Sequence, residues 1–382
     1  MTPEIPFFAP DYFAGDRDTL ARIIHDAGVS DTQRFILGDW TQRLEEALRA
    51  ATGAADVVAC GSGTSALTLI LRALGVAPGD EVVVPAFGCA PLASAVISVR
   101  AVPVFADVDP RTLVADPDAM EILITRRTSA LMPAHMFSVM ADMPRLRAIA
   151  DRHGLRLLED SAVAQGGMLA GRPAGLWGDA GVYSFVQVKT FGTAGEGGAV
   201  VTGDPELGRE IRLLRNHGQV PGRRFTHHRI GYNSRFDEIL AAFQLHRLPG
   251  LAARLARRAA IAAYYSTRFA PLAARGVLAP PSGGDGRCYY VYTLLADRRD
   301  ELKEHLAGLG IGSHVYYPVP LPRQPAFAGY APAGQRWPQA EAACARILSI
   351  PVYPQLTDAA AERIADAVCA FAGRPGPPGG SS

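Results

Sequence analysis

The sequence predicts an α/β protein with a mainly parallel sheet and a smaller α/β unit after it. Three observations carry this. From Val57 onward, seven short apolar runs alternate with stretches of helical periodicity, the order expected of parallel strands covered on both faces. Hydrophobic residues make up 48% of the chain, enough for a large core. The 382 residues exceed the usual length of one domain and suit two or three.

The elements follow in order. Residues 1–30 read as irregular, with a short amphipathic piece near 17–27, and apolar spacing predicts a helix over 39–51. The expected strands are 57–59, 81–85, 102–107, 130–133, 155–159, 180–185 and 198–202, with helices between them at 65–74, 92–99 and 143–153. An Arg- and Ala-rich pattern over 249–269 predicts a long connector helix. Beyond it, 289–295 and 349–351 read as strands, and 300–309 and 359–371 as helices. The expected division is an N-terminal segment with a large domain over 1–250, then a connector helix and small domain over 251–372. The Gly/Pro/Ser tail at 373–382 has nothing to bury and is expected to be disordered.

Composition excludes several function classes. Net charge is +1, without the basic block that nucleic acid demands. Five cysteines, an odd number with no CxxC spacing, argue against a disulfide framework or a zinc site and favour a reducing compartment. The N-terminus has no apolar leader, and Pro85 and Pro91 interrupt the most apolar stretch, so a cytoplasmic protein without a membrane span is expected.

Lysine use singles out one position. The chain holds 38 Lys and Arg residues, and only Lys189 and Lys303 are lysine. A primary amine can lose its proton and form an imine, whereas guanidinium stays charged. Two further features lie upstream of Lys189. Cys60-Gly-Ser-Gly-Thr64 joins a strand to a helix, where small residues let backbone N–H groups approach an anion. Glu159-Asp160 ends another strand, and an aspartate there faces the crevice where ligands bind. Ser184 then precedes Lys189 by five residues, and Gly195-Glu-Gly-Gly198 follows. Phosphate donors, an acid for a heteroaromatic nitrogen and a lysine for an aldehyde form the toolkit for pyridoxal 5′-phosphate (PLP). Taken singly, each motif has an ordinary alternative: a capped strand–helix turn, a solvated loop carboxylate or a surface charge.

Over most of its length the chain resembles the DegT/DnrJ/EryC1/StrS aminotransferases. The resemblance rests on Ser62-Gly-Thr64, Gly79-Asp-Glu-Val-Val-Val-Pro85, Pro103-Val-Phe-Ala-Asp-Val-Asp109, Glu159-Asp160, Ser184-Phe185, Lys189, Gly195-Glu-Gly-Gly198, Arg215-Asn-His-Gly218, Gly231-Tyr-Asn233 and Tyr317-Pro318. It implies a fold-type I aminotransferase with a mixed seven-stranded sheet. It also implies roles. Lys189 would bind the cofactor covalently and shuttle protons, and Asp160 would pair with the ring nitrogen. Gly63, Thr64 and Ser184 would hold the phosphate. Asn233 would reach the cofactor of a second copy, making a homodimer with shared sites.

Departures from the family pattern cluster around the ring. Cys89 stands where an aromatic residue is usual, and Val163 where glutamine is usual, with Gln165 two positions on. Tyr316 replaces a histidine, and His135-Met-Phe-Ser-Val139 replaces His-x-Tyr-Gly-Gln. The expected reaction is transfer of an amino group from glutamate or glutamine to a ketone on a nucleotide-linked sugar or cyclic polyol. The alternatives are an elimination, condensation or oxidative deamination on the same scaffold, or a non-catalytic regulator, which retention of Lys189, Asp160 and Ser184 disfavours.

Overall fold

The computed structural model describes residues 4–29, 35–220, 222–223, 225–278 and 286–374. Its strands are β1 (Asp56–Cys60), β2 (Glu81–Pro85), β3 (Val102–Ala106), β4 (Thr128–Leu131) and β5 (Arg156–Asp160), then a two-stranded ribbon of β6 (Met168–Leu169) and β7 (Arg172–Pro173). β8 (Ala180–Ser184), β9 (Gly198–Thr202), β10 (Val277–Leu278), β11 (Tyr292–Ala296) and β12 (Ile347–Ile350) complete the set. Seven of them form one sheet in the order β1-β9-β8-β5-β4-β2-β3. Only β9 runs against the others. The fold is therefore α/β with a mixed, mainly parallel sheet.

The strands look as a doubly covered sheet requires. Every residue of β2, β8 and β9 is buried, so polar alternation is absent. Helix Gly63–Ala73 carries the chain from β1 across the sheet to β2, while Pro91–Ser98 and Met143–His153 return it between the parallel neighbours β2 and β3, and β4 and β5. Each has a local reason to start. Ser62 and Ser65 form a reciprocal capping box on the first, Pro91 occupies the first turn of the second, and Asp142 caps the third. Gly154 ends the third at φ +67°, a conformation glycine adopts without strain.

Because all sheet strands but β9 are parallel, their carboxyl ends share one edge. Cys60, Pro85, Leu131, Asp160 and Ser184 end their strands there, and β9 begins there at Gly198. The register sets Gly198 opposite both Cys60 and Ser184. A Cβ at Gly198 would lie 2.7 Å from the Gly63 nitrogen, so the turn after β1 packs onto β9 only because this residue is glycine.

A second, antiparallel sheet of β10-β11-β12 packs with helices Leu251–Phe269, Arg299–Gly308 and Asp358–Ala372 around their own apolar cluster. Ile5 and Ala9 belong to this cluster rather than to the large sheet, although they begin the segment expected to go with the large domain. Ile5 bridges to Ile311. Residues 375–382 of the expected tail lie outside the described residues.

Two boundary differences have physical causes. Asp107 was expected in β3 but leaves the ladder to accept from the amides of Gln339 and Ala340 at 3.0 and 2.8 Å, starting helix Pro338–Arg346. Tyr289 and Tyr290 were expected in β11 but precede it, because side chains of the large sheet's loops and of Arg258 take their backbone groups instead.

Candidate active site

A cavity of about 230 Å³ opens at the carboxyl edge of the sheet. Its walls come from the turn after β1 (Ser62, Gly63, Thr64), from Cys89 after β2, and from His135 after β4. Asp160 and Val163 add a wall from β5 and the turn behind it, and Ser184, Lys189 and Glu196 another from β8 and the loop into β9. Tyr317 closes it from the C-terminal part. Seven of the eight residues predicted from sequence meet here. Asn233 does not line this cavity. It lies exposed in a bridge with Asn216, and its neighbour Ser234 accepts from the Gly61 amide at 3.0 Å.

The turn after β1 presents backbone donors to the cavity. Ser62 Oγ accepts from Ser65 N–H at 3.0 Å, and Ser234 Oγ reaches Ser65 Oγ at 2.7 Å. Among the described residues nothing accepts from the amides of Gly63 or Thr64, which sit at the positive end of the helix. Gly63 is needed because a Cβ there would lie 3.2 Å from that of Ser184. That close approach brings the Ser184 hydroxyl to the same turn.

Glu159 and Asp160 have opposite fates. Glu159 is fully buried away from water. It accepts from the amides of Gly175 at 2.9 Å and Gly178 at 2.7 Å, from that of Trp177, and from His135 Nε2 at 3.0 Å. His135 Nδ1 accepts from Ala141 N–H at 3.2 Å, which leaves Nε2 to carry the proton. Among the described residues the Asp160 carboxylate accepts only from Ala162 N–H, at 3.1 Å on Oδ1, and the residue lines the cavity with Oδ2 unbonded. Burial raises its pKa; the Ala162 bond and the charges of Lys189 and His135 oppose that rise.

Lys189 follows β8 on a tight turn, its N–H donating to Val186 O at 2.9 Å. Its ammonium lies 4.4 Å from the centre of the Tyr290 ring and, among the described residues, makes no hydrogen bond or ion pair. Burial lowers its pKa, against the charges of Cys89, Asp160 and Glu196. An amine so placed is closer to its neutral, reactive form at physiological pH.

Val163 lines the cavity and Gln165 does not. Two positions apart they would share a face in a strand, but the chain turns repeatedly after Asp160, and alternation ends with the ladder. The Val163 carbonyl accepts from Ser138 Oγ at 2.7 Å and Cys288 Sγ at 3.2 Å. Glu196, Tyr317 and Tyr290 were not singled out as site residues from sequence. Glu196 had a signal there in its place in the Gly-rich run after Lys189, and Tyr317 in the Tyr317-Pro318 match; Tyr290 had none.

A larger cavity, about 360 Å³, lies by Glu45, Asp56, Arg212 and Arg215, where the buried Glu45 and Arg215 and the half-buried Asp56 and Arg212 pair with one another. Among the described residues no cluster of His, Cys, Asp or Glu could hold a metal, and no helix is long and apolar enough to cross a membrane.

Residues 22–369 match the model of the DegT/DnrJ/EryC1/StrS aminotransferase family, and the chain belongs to that family. It is 39% identical over 345 residues to a pleiotropic regulatory protein of Geobacillus stearothermophilus, covering 90% of this chain and 92% of the other. It is 39% identical over 380 residues to the dTDP-3-amino-3,4,6-trideoxy-alpha-D-glucose transaminase of Streptomyces venezuelae, covering 98% and 97%. The crystal structure of S. venezuelae DesV in complex with a ketimine intermediate superposes with a TM-score of 0.92 at 39% identity, over 98% of this chain and 100% of that one. The chain is a PLP-dependent aminotransferase.

Proposed function

Starting from an aminotransferase of this family, we propose that the protein moves an amino group from glutamate or glutamine to a ketone on a nucleotide-linked keto sugar or a related cyclic polyol, in natural-product or glycan biosynthesis. The observation that carries the reading is the meeting of an amine, a half-satisfied carboxylate and an open helix turn, drawn from Gly63 to Lys189, on one cavity. The transaminase of S. venezuelae acts on a nucleotide-linked sugar, which supports the substrate class.

The residues fit PLP. The free amides of Gly63 and Thr64 and the Ser184 hydroxyl suit its phosphate, at the positive end of a helix. The open oxygen of Asp160 would keep the ring nitrogen protonated, and facing a cation would offset the cost of its own burial. Lys189 would hold the aldehyde carbon and, once released, carry a proton on Nζ; its lowered pKa suits that work. Bound here, the cofactor supplies an electron sink and carries the amino group between two substrates. Cys89 and Val163 would border the ring, the thiol unable to stack as an aromatic side chain does.

The same reading makes the enzyme a cytoplasmic homodimer. Asn233, exposed and outside its own chain's cavity, would complete the phosphate site of a second copy. We also divide the chain near residue 250, with the Ile5–Ala9 strap laid over the second unit.

The test is a half-reaction. Full-length protein loaded with PLP is given excess glutamate or glutamine, and absorbance follows conversion to the pyridoxamine 5′-phosphate form. Mass spectrometry then follows amination of nucleotide-linked keto sugars. Failure to convert with any amino-acid donor would sink the reading.

A further inference from the structure

Three non-glycine residues with left-handed backbone meet beside the cavity: Phe137 at φ +53°, Ser138 at φ +64° and Tyr289 at φ +43°. Side chains rarely adopt this region without compensation. The compensation is visible at Ser138. Its hydroxyl donates to Val163 O at 2.7 Å and accepts from Tyr290 N–H at 3.2 Å. One serine thus ties the turn behind Asp160 to the segment that leads into the second sheet.

Other bonds hold that segment still. Arg287, buried, donates to Phe137 O from Nε and Nη2 at 3.1 Å. Arg258, also buried, donates to Tyr289 O at 3.2 Å, Tyr290 O at 3.1 Å and Val352 O at 2.6 Å. Neither makes an ion pair among the described residues. Both act as backbone clamps, and burial lowers the Arg258 pKa to about 10. The result is a fixed Tyr290 whose ring face lies 4.4 Å from Lys189 Nζ.

We propose that Tyr290 is a positioning residue for the reacting lysine: its ring is the seat of the Lys189 ammonium, and Ser138 locks that seat to the cofactor side of the cavity. A cation over a ring face is held by the ring quadrupole, more strongly when water is excluded. The other titratable groups facing the amine are Asp160, Glu196 and Cys89, with His135 and Tyr317 on the same walls. Among the described residues none of them hydrogen-bonds to it, and the Tyr290 ring lies against it at 4.4 Å. The seat keeps Nζ at a defined place when the lysine is free and charged, and releases it on deprotonation, because the neutral amine has little attraction for the ring.

The inference rests on the reading of Lys189 as the cofactor lysine, and the chain allows the two to be tested apart. With only Lys189 and Lys303 present, amine chemistry is easy to resolve by mass spectrometry. Borohydride reduction of the PLP-loaded protein tests the reading, by the cofactor mass on the Lys189 peptide. The seat is tested on full-length protein supplied with pyridoxamine 5′-phosphate, which leaves lysine free. Limiting isotope-coded acetic anhydride is applied across a pH series, with Lys303 as internal standard and circular dichroism to verify folding.

In Tyr290→Leu, which keeps an apolar wall and removes the ring face, the labelling midpoint of Lys189 should fall by roughly half to one and a half pH units. Tyr290→Phe should keep the wild-type midpoint. Ser138→Gly, which relaxes the backbone and removes the bridge, should move it in the same direction as Tyr290→Leu. An unmoved midpoint in Tyr290→Leu overturns the seat, as does a fall in Tyr290→Phe equal to that in Tyr290→Leu. An unmoved midpoint in Ser138→Gly overturns the lock. Labelling shifts without cofactor on Lys189 would support the seat while removing the reading beneath it.

Discussion

The two sides of the sheet at the end of β5 are built from adjacent residues and do opposite work. On one side Glu159 is closed in by three amides and His135, a charge used wholly to hold the Gly175–Gly178 turn. On the other, Asp160 has one amide and an open oxygen facing Lys189's cavity. A charge fully bonded by the protein stabilises structure; a charge left half-bonded is available to a ligand.

Four substitutions probe that contrast. The largest effect falls on the open side. Lys189→Ala should lower the glutamate half-reaction by about 10³-fold or more, because in the proposed function the nucleophile and proton carrier are this one amine. Rapid-mixing absorbance would check it, and retention of near wild-type rate would break the contrast at its centre.

Glu159→Gln comes next and should act on the closed side alone. A carboxamide turns a donor toward the Gly175 amide and His135, so the loss should be about 2–4 kcal/mol of stability. Urea unfolding measures it. A variant of unchanged stability would mean that the four bonds to Glu159 contribute nothing net.

Asp160→Asn should cut the half-reaction by about 10²-fold, as expected for a lost charge on the ring nitrogen. It should also raise the melting temperature of the cofactor-free protein by a few degrees at pH 7 to 8. The sign follows from burial. A carboxyl whose folded pKa lies above its unfolded value contributes stability at low pH and loses it as pH rises through the folded pKa. Removing the charge therefore helps at neutral pH, and the gain should vanish in acid. A gain that grows toward acid pH would reverse the assignment.

Ser184→Ala is the smallest, a loss of about tenfold in cofactor affinity from one hydrogen bond to a charged group. Fluorescence titration with PLP reads it.

The sheet was legible in sequence because its signals are local. β2 and β9 were placed to the residue, since apolar runs and flanking Pro or Gly mark both ends. Asp160, Ser184 and the Gly63–Thr64 turn were legible because each ends a strand or begins a helix, and parallel strands bring such ends to one edge; Lys189, on the turn after β8, was legible because lysine is rare in this chain. The side Gln165 takes was not legible, because strand alternation stops at the end of β5 and a turn follows. Tyr290 was not singled out, since nothing local distinguishes it from Tyr289 and Tyr292.

Sequence alone determined the class of fold and the cofactor chemistry, and singled out Lys189 as the lysine proposed to carry it, through spacing within short segments and one rare residue type. Tertiary structure decided which of two adjacent acids is structural and which is open. It placed Asn233 outside its own cavity, and it joined Ser138, Val163 and Tyr290 across 152 positions of chain. The reason is physical. Strand and helix patterns record which face of a segment is buried, whereas a hydrogen bond between distant loops depends on where folding brings them, and no periodicity records that.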